Sequence, residues 1–289
     1  MSKYVFLINP KSGVSKKLHL PKLIEESAKR HNKDFEILHW ENADDAKEKT
    51  KRAVSENAFA VIGAGGDGTV NVLAQNLLHT NTAVGIIPVG SGNGLARHLK
   101  IPLRAEQAIE KIFTGNILTI DTGKLNDQLF LSNCGVGFLA DVIHSFQHSQ
   151  FRGLPAYALH TFKRFFDSQN LHLKIKIENE EMNDEFFFIS ICNANQFGYE
   201  VKLAPDASLH DGLLEFYFVP KISSVRKIHL LTKVLREKSY QFSQSKLLKA
   251  ESAEIFFEGK IKAQIDGDAI MLSSPTKIQI KKNSLKVIV

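Results

Sequence analysis

The sequence predicts an α/β protein of two domains, the first with a mostly parallel sheet and the second rich in antiparallel strands. Up to about residue 120, short apolar runs typical of buried strands alternate with segments that have the apolar spacing of helices. After Asp121 the pattern becomes rich in strands. The chain has 289 residues, of which 43% are hydrophobic and 24% charged, so it is long enough to bury two cores.

The elements of the first part follow one another in the order of a doubly wound sheet, which binds ligands at the carboxyl ends of its strands. Strands are expected near 3–8, 34–40, 58–63 and 83–88, and helices near 17–31, 43–56, 69–79, 92–99 and 104–114. In the second part, strands are expected near 128–133, 171–178, 186–193, 213–219, 253–258, 261–266 and 277–281, and helices near 137–148, 155–168 and 222–237. The predicted domains are residues 1–122 and 123–283, with the tail 284–289 returning to the first.

A glycine-rich turn with one carboxylate follows the third predicted strand. Residues 65–69 read GGDGT. We expect its glycines to let the backbone approach a ligand and adopt positive φ, while the following helix directs free N–H groups at an anion. Because Asp67 would repel a bare phosphate, a divalent metal or an attacking hydroxyl is expected between them, and the turn indicates phosphoryl transfer. The alternative is a strand-to-helix turn in which Asp67 or Thr69 caps the helix.

Three other segments narrow the class of protein. Residues 9–13 read NPKSG, residues 88–97 read PVGSGNGLAR, and residues 265–268 read IDGD, whereas the Walker glycine motif does not occur. Together with GGDGT, these segments resemble the diacylglycerol kinase catalytic-domain family, which is related to the sphingosine and ceramide kinases and distantly to the NAD kinases. The four elements cover nearly the full length of the chain.

The resemblance implies that ATP, with Mg²⁺, binds in the first domain and that the second domain is an antiparallel β-sandwich. Trp40 stands roughly where the family tends to place a nucleotide-contacting Thr, and it either stacks on adenine or belongs to the core. The implied nucleotide-binding residues are Asn9, Ser12, Trp40, Gly65, Gly66, Asp67, Gly68, Thr69, Asn71, Gly90, Ser91, Gly92 and Asn93.

The resemblance also implies two catalytic carboxylates, Asp67 and Asp268. Asp268 takes the position of the family's general-base Glu, where it would accept the proton of the acceptor hydroxyl, and Asp266 is the alternative base. Since Asp is one methylene shorter than Glu, Asp268 needs a closer approach or a relaying water. Considered without the other motifs, residues 266–268 read as a hairpin turn.

A further segment, residues 204–213, reads APDASLHDGL and resembles a metal-binding element of bacterial-type lipid kinases. The resemblance implies that Mg²⁺ is held there by the carbonyl of Ser208, the side chain of Asp211 and the carbonyl of Leu213. Oxygen ligands of this kind suit Mg²⁺. The alternative is a metal-free loop with an Asp-Gly turn.

The net charge of +6 and the isoelectric point near 9.1 favour anionic partners. No nucleic-acid-binding motif accompanies this charge, so nucleic acid is not an expected partner. An anionic membrane surface fits better, because residues 222–240 combine cations with the apolar set Ile222, Val225, Ile228, Leu231 and Leu235 at helical spacing. The alternative is a helix that packs on its sheet and keeps a solvated outer face. Whether the chain forms a homodimer stays open.

The two cysteines have no metal-ligand spacing, which argues against disulfides and zinc. The first strand begins almost at once, and no apolar run approaches the ~20 residues that span a bilayer. We therefore expect a cytoplasmic protein that associates with the membrane only peripherally.

The expected function is transfer of the γ-phosphate of ATP to the hydroxyl of a lipid, either diacylglycerol or a sphingoid or ceramide-like lipid. The acceptor stays open because Gly94 and Leu95 stand where many bacterial diacylglycerol kinases have Asp and Phe. One alternative is an NAD kinase-like phosphotransferase, which shares GGDGT. The other is a non-catalytic lipid or nucleotide sensor, which Val72 and the Asp at position 268 keep open.

Overall fold

The computed structural model describes residues 3–9, 19–147, 154–195, 203–236 and 241–289. The chain divides into two compact units. The first unit consists of Met1–Asp121 together with Lys282–Val289, and the second of Thr122–Lys281. Within the described residues, no helix is both long and apolar enough to cross a membrane.

The first unit is built on a parallel sheet. Its elements are β1 (Tyr4–Ile8), α1 (Leu20–Arg30), β2 (Phe35–His39), α2 (Ala43–Ser55), β3 (Ala60–Gly65), α3 (Asp67–Leu77), β4 (Ala83–Pro88), α4 (Gly94–His98) and α5 (Ala105–Thr114). The strands lie in the order β2–β1–β3–β4 and are all parallel. The C-terminal tail adds to this sheet, since Val287 pairs in parallel with Val84.

Helices cover the first sheet and bury its strands. Every residue of β1, β3 and β4 is buried, which is typical of a parallel sheet covered on both faces. In α1, the buried residues Leu20, Ile24 and Ala28 recur every four positions and form one apolar stripe. The apolar residues whose spacing predicted these strands and helices are therefore the residues that face the core.

The second unit is an antiparallel β-sandwich with three helices among its described elements. In chain order these are β5 (Ile117–Leu125), β6 (Gln128–Phe130), β7 (Asn133–Gly137), α6 (Phe138–Gln147), α7 (Leu154–Asp167), β8 (Leu171–Ile177), β9 (Glu180–Cys192), β10 (Leu214–Pro220), α8 (Ser224–Leu235), β11 (Lys246–Ala250), β12 (Ser252–Phe256), β13 (Lys260–Ile265), β14 (Asp268–Ser273) and β15 (Thr276–Ile288). β5 and β15 begin in one unit and end in the other.

The long strand β9 organises the second unit. Along one edge of β9, residues 180–186 pair with β8 and residues 188–192 pair with β7. β10 pairs along the opposite edge. From β7 the sheet continues through β13 to β14, and from β8 it continues to β12. Alternate residues of these strands, among them Leu173, Ile189 and Phe216, form one buried core. The fold class predicted from the sequence is confirmed in both units.

Four strands of the structure were not predicted, namely β5, β7, β11 and β14. β11 shows why, because four of its five residues, Lys246–Lys249, are exposed or half-buried and its apolar residues do not alternate with polar ones. Its extended conformation comes from pairing with β10, where Leu214 lies opposite Ala250. The extended conformation of such a strand depends on pairing with its neighbour rather than on the spacing of its own apolar residues.

Candidate active site

The two glycine loops of the first unit lie side by side. β3 and β4 are neighbours in the parallel sheet, and Gly65 at the end of β3 is in register with Pro88 at the end of β4. The backbone N–H of Val89 donates a hydrogen bond of 3.1 Å to the carbonyl of Gly65. Both loops therefore begin at the carboxyl edge of the sheet, where open α/β sheets bind their ligands.

Lack of space, rather than positive φ, explains the glycines at positions 65 and 90 of these loops. A Cβ atom placed on Gly90 would lie 2.4 Å from the Cα of Gly66, and one placed on Gly65 would lie 2.1 Å from the Oγ1 of Thr69. Any side chain at Gly90 would push the loops apart. The positive φ expected for the GGDGT glycines is wrong, since Gly66 has φ −99° and the described glycines with positive φ lie elsewhere.

Asp67 begins α3 and lies against the second loop. The backbone N–H of Leu95 donates a hydrogen bond of 3.3 Å to its Oδ1 atom. A Cβ atom on Gly92 would come within 3.2 Å of its Oδ2 atom. Burial of the carboxylate raises the pKa of Asp67, whereas backbone N–H groups of the second loop and of Asp67 itself lower it. The second loop thus orients the carboxylate.

The first turn of α3 has no side-chain cap. Its N-cap residue is Gly66, which has no side chain, so the alternative in which Asp67 or Thr69 caps the helix is not observed. The helix has 11 residues, and its first N–H groups are suited to bind an anion.

The second loop is held in shape by its own side chains. Asn93 has the left-handed φ of 53° and donates a hydrogen bond of 2.9 Å from Nδ2 to the carbonyl of Gly90. The Oδ1 atom of Asn93 is buried and has no hydrogen-bond partner among the described groups. Arg97 donates from Nε to the carbonyl of Gly92 at 3.1 Å, whereas Ser91 is exposed. The loop is therefore prearranged in this conformation.

The remaining residues of the expected nucleotide site differ in their exposure. Trp40 is 7% exposed, and its Nε1 atom has no hydrogen-bond partner among the described groups. Asn71 is also buried, and its Oδ1 atom accepts a hydrogen bond of 2.9 Å from Gln75. Asn9 is half-buried just after β1, while Ser12 lies outside the described residues. Their roles stay predictions.

In the second unit, Asp266 and Gly267 form the two-residue turn between β13 and β14. Their φ angles are 48° and 89°, and Ile265 pairs with Asp268 across the turn. Two positive φ angles are those of the tight hairpin turn that Asp-Gly favours. Asp268 is the first residue of β14 and is exposed.

Asp266 holds the backbone that leads into β7. Its carboxylate accepts hydrogen bonds from the N–H groups of Leu131 at 2.8 Å, Ser132 at 2.8 Å and Asn133 at 3.1 Å. Its own N–H donates to the carbonyl of Asn133 at 2.9 Å. These bonds engage both oxygens of Asp266 in positioning the turn.

A buried polar network that the sequence did not reveal supports this turn. Gln264 is fully buried and donates from Nε2 to Oδ1 of Asn133 at 2.8 Å, while its Oε1 atom accepts from the N–H of Gly267 at 3.0 Å. Asn193, also fully buried, donates to the carbonyl of Leu131 at 2.8 Å. The only signal in the sequence was that these polar residues stand within or next to apolar runs.

The turn expected to bind a structural metal contains a carboxylate that is already engaged. The Oδ1 atom of Asp211 accepts a hydrogen bond from the N–H of Leu213 at 3.1 Å, and its Oδ2 atom lies 3.3 Å from Nζ of Lys249. Within the described residues, no group of three or more His, Cys, Asp or Glu side chains could hold a metal ion.

Two family models match the chain. The model described as "Diacylglycerol kinase catalytic domain" matches residues 3–125, and the one described as "YegS C-terminal NAD kinase beta sandwich-like domain" matches residues 133–289. The second match alone covers more than half of the chain. The chain therefore belongs to the family that this sandwich-domain model describes, and residues 3–125, which precede the sandwich domain, match the diacylglycerol kinase catalytic domain.

Individual proteins agree with this assignment. The "Diacylglycerol kinase" of Staphylococcus carnosus (strain TM300) is 27% identical over 268 residues, which cover 91% of this chain and 87% of the relative. That of Bacillus subtilis (strain 168) is 27% identical over 282 residues, which cover 93% and 90%. A solved structure described as "A putative diacylglycerol kinase from Bacillus anthracis str. Sterne" superposes with a TM-score of 0.85 at 23% identity, covering 99% of this chain and 97% of that one. This likeness shows the shared fold.

We predict that Asp266→Ala lowers the free energy of unfolding by about 2–3 kcal/mol, because it leaves three backbone N–H groups without their acceptor. Asp266→Asn should lower it less, since the amide keeps one acceptor oxygen. The exposed Asp268→Ala is the control and should change it by less than about 0.5 kcal/mol. Urea unfolding of the three variants measures these values. Equal stability of Asp266→Ala and Asp268→Ala would contradict the structural role of Asp266.

Proposed function

We propose that this protein is a lipid kinase that transfers the γ-phosphate of ATP to a lipid hydroxyl. The observation that carries the proposal is the position of Asp67, which a neighbouring glycine loop orients at the carboxyl edge of the parallel sheet. The match of residues 3–125 to the diacylglycerol kinase catalytic domain supports the same reaction.

The glycine loops fit a ligand that carries phosphate. The backbone segments at Gly66 and Gly90 lie against each other with no side chain between them. The first turn of α3 has no side-chain cap, so its N–H groups are available to an anion. Asp67 adds a carboxylate that suits Mg²⁺, which would offset the negative charge of the phosphates when bound. On this proposal the two loops hold the phosphates, while Asp67 orients the metal.

We assign the role of general base to Asp268. A lipid hydroxyl must lose its proton as it attacks the γ-phosphate, and a carboxylate within hydrogen-bond reach can accept this proton. Asp268 is exposed, whereas both oxygens of Asp266 accept backbone hydrogen bonds. This difference favours Asp268 over Asp266 as the base.

We also propose that the protein contacts an anionic membrane surface peripherally, from a cytoplasmic location. On α8, Val225 and Ile228 are 76% and 52% exposed, and Phe162 of the adjoining α7 is 61% exposed. Lys227 is instead buried, and so is Ile222, which the sequence placed on the apolar face with Val225. Large apolar side chains therefore face solvent here, as interfacial binding requires, although Ile222 of the predicted apolar set is buried.

The acceptor is tested by transfer of labelled γ-phosphate from Mg²⁺-ATP to a panel of diacylglycerol, ceramide, sphingoid base, monoacylglycerol and NAD. We expect labelled product from one of the lipids. Label on NAD alone would replace the proposal by an NAD kinase activity. ATP binding without transfer to any member of the panel would replace it by a sensor.

We predict that Asp67→Asn lowers turnover by about 10²–10³-fold, because the amide lacks the charge that orients metal at the phosphates. The amide oxygen still accepts the N–H of Leu95, so the melting temperature should stay near that of the parent. Asp44→Asn, at the exposed start of α2, is the matched control and should leave turnover unchanged. Near-parental turnover of Asp67→Asn with Mg²⁺-ATP would remove Asp67 from the catalytic machinery.

We predict that Asp268→Ala lowers turnover by about 10²–10⁴-fold at unchanged KM for ATP, as expected for loss of a general base that acts on the acceptor. Asp268→Glu should keep or raise turnover, because it provides the longer side chain of the family's Glu. Steady-state kinetics with the lipid found in the panel measures both. If Asp268→Ala is as active as the parent while folded Asp266→Asn is inactive, the base is Asp266.

A further inference from the structure

The turn of residues 206–213 leads directly into β10, which carries a buried carboxylate. Glu215, the second residue of β10, is 1% exposed. Neither of its carboxylate oxygens makes a directed hydrogen bond to a described group. A buried carboxylate of this kind is costly unless a cation compensates its charge.

The register of the sheet supplies this cation from the neighbouring strand. β10 and β11 pair in antiparallel fashion, and Lys249 is the residue directly opposite Glu215. Its Nζ atom lies 3.0 Å from Oε1 of Glu215. Among the described residues, this is the one ion pair of Glu215, and it forms across adjacent strands, where opposite charges stabilise a sheet.

The same ammonium group also reaches the turn before β10. Nζ of Lys249 lies 3.3 Å from Oδ2 of Asp211 and 3.5 Å from the carbonyl oxygen of Asp206. Three oxygens, from two carboxylates and one carbonyl, therefore surround one positive charge. The other oxygen of Asp211 closes the turn by accepting the N–H of Leu213.

An ammonium group therefore lies next to the carboxylate of Asp211. Mg²⁺ requires oxygen ligands at about 2.0–2.1 Å in octahedral geometry, and the second oxygen of Asp211 is already paired with Lys249. The pairing with Glu215 raises the pKa of Lys249, so the ammonium stays charged. Burial raises the pKa of Glu215, which its pairing with Lys249 opposes.

We propose that the ammonium group of Lys249 takes the place of a divalent metal in this turn. Lys249 joins the turn at Asp211 to the buried Glu215, and the chain therefore keeps this part of the second unit folded without bound metal. The side chain is an internal cation that cannot dissociate.

Thermal unfolding tests the proposal without nucleotide or lipid, so its outcome is independent of kinase activity. The parent protein is treated with EDTA, and its melting temperature is then compared with and without millimolar MgCl₂ or CaCl₂. We expect melting temperatures within about 1 °C of one another. A fall of several degrees after EDTA that either metal reverses would overturn the proposal.

Variants of Lys249 test whether its ammonium group stabilises the second unit. Lys249→Met should lower the melting temperature by about 5–10 °C, because it leaves the carboxylate of Glu215 buried without its cation. Lys249→Arg should keep the melting temperature close to that of the parent, because arginine also carries a positive charge. The double variant Lys249→Met/Glu215→Gln should recover part of the loss, since the buried charge is removed together with its partner.

Lys246→Met is the matched control, because Lys246 lies on the same strand and pairs with the exposed Glu180. This variant should change the melting temperature by less than about 1 °C, since exposed ion pairs contribute little. Equal losses for Lys249→Met and Lys246→Met, or no recovery in the double variant, would overturn the proposal.

Discussion

The close approach of two backbone segments, at Gly66 and Gly90, is the constraint on which the candidate nucleotide site depends. A Cβ atom at Gly90 would stand 2.4 Å from the Cα of Gly66, so the loops meet only because no side chain lies between them. This contact brings the N–H of Leu95 to Asp67. The orientation of a single carboxylate thus depends on a contact between two glycines.

A carboxylate has a different role in the second unit. Asp266 organises backbone, since its oxygens accept three N–H groups at the entry to β7. The fully buried Gln264 links the same backbone to the turn through Asn133 and Gly267. Two acidic residues of one hairpin are thereby separated in role: Asp266 holds the turn, and Asp268 is presented at the surface.

Buried charge in the second unit is compensated by contacts between strands and helices. Glu215 is matched by Lys249 on the next strand. Lys227 of α8 is 8% exposed and donates to the carbonyl of Phe165 at 3.1 Å, and its Nζ atom lies 4.3 Å from the ring centroid of Phe187. Burial lowers the pKa of Lys227, and the contacts with Phe165 and Phe187 stabilise its positive charge. A cation expected at the solvated face of a helix is therefore part of its packing.

The sequence by itself determined the fold class and placed GGDGT between a strand and a helix, because hydrophobic period and glycine turns are local properties. It could not determine that Asp266 binds backbone about 130 residues earlier, that Lys249 faces Glu215, or that β11 is a strand at all. These features arise from strand register and from packing between segments distant in the chain. Tertiary structure decided them because the partner of a buried polar group is chosen by three-dimensional proximity, which no local pattern of residues encodes.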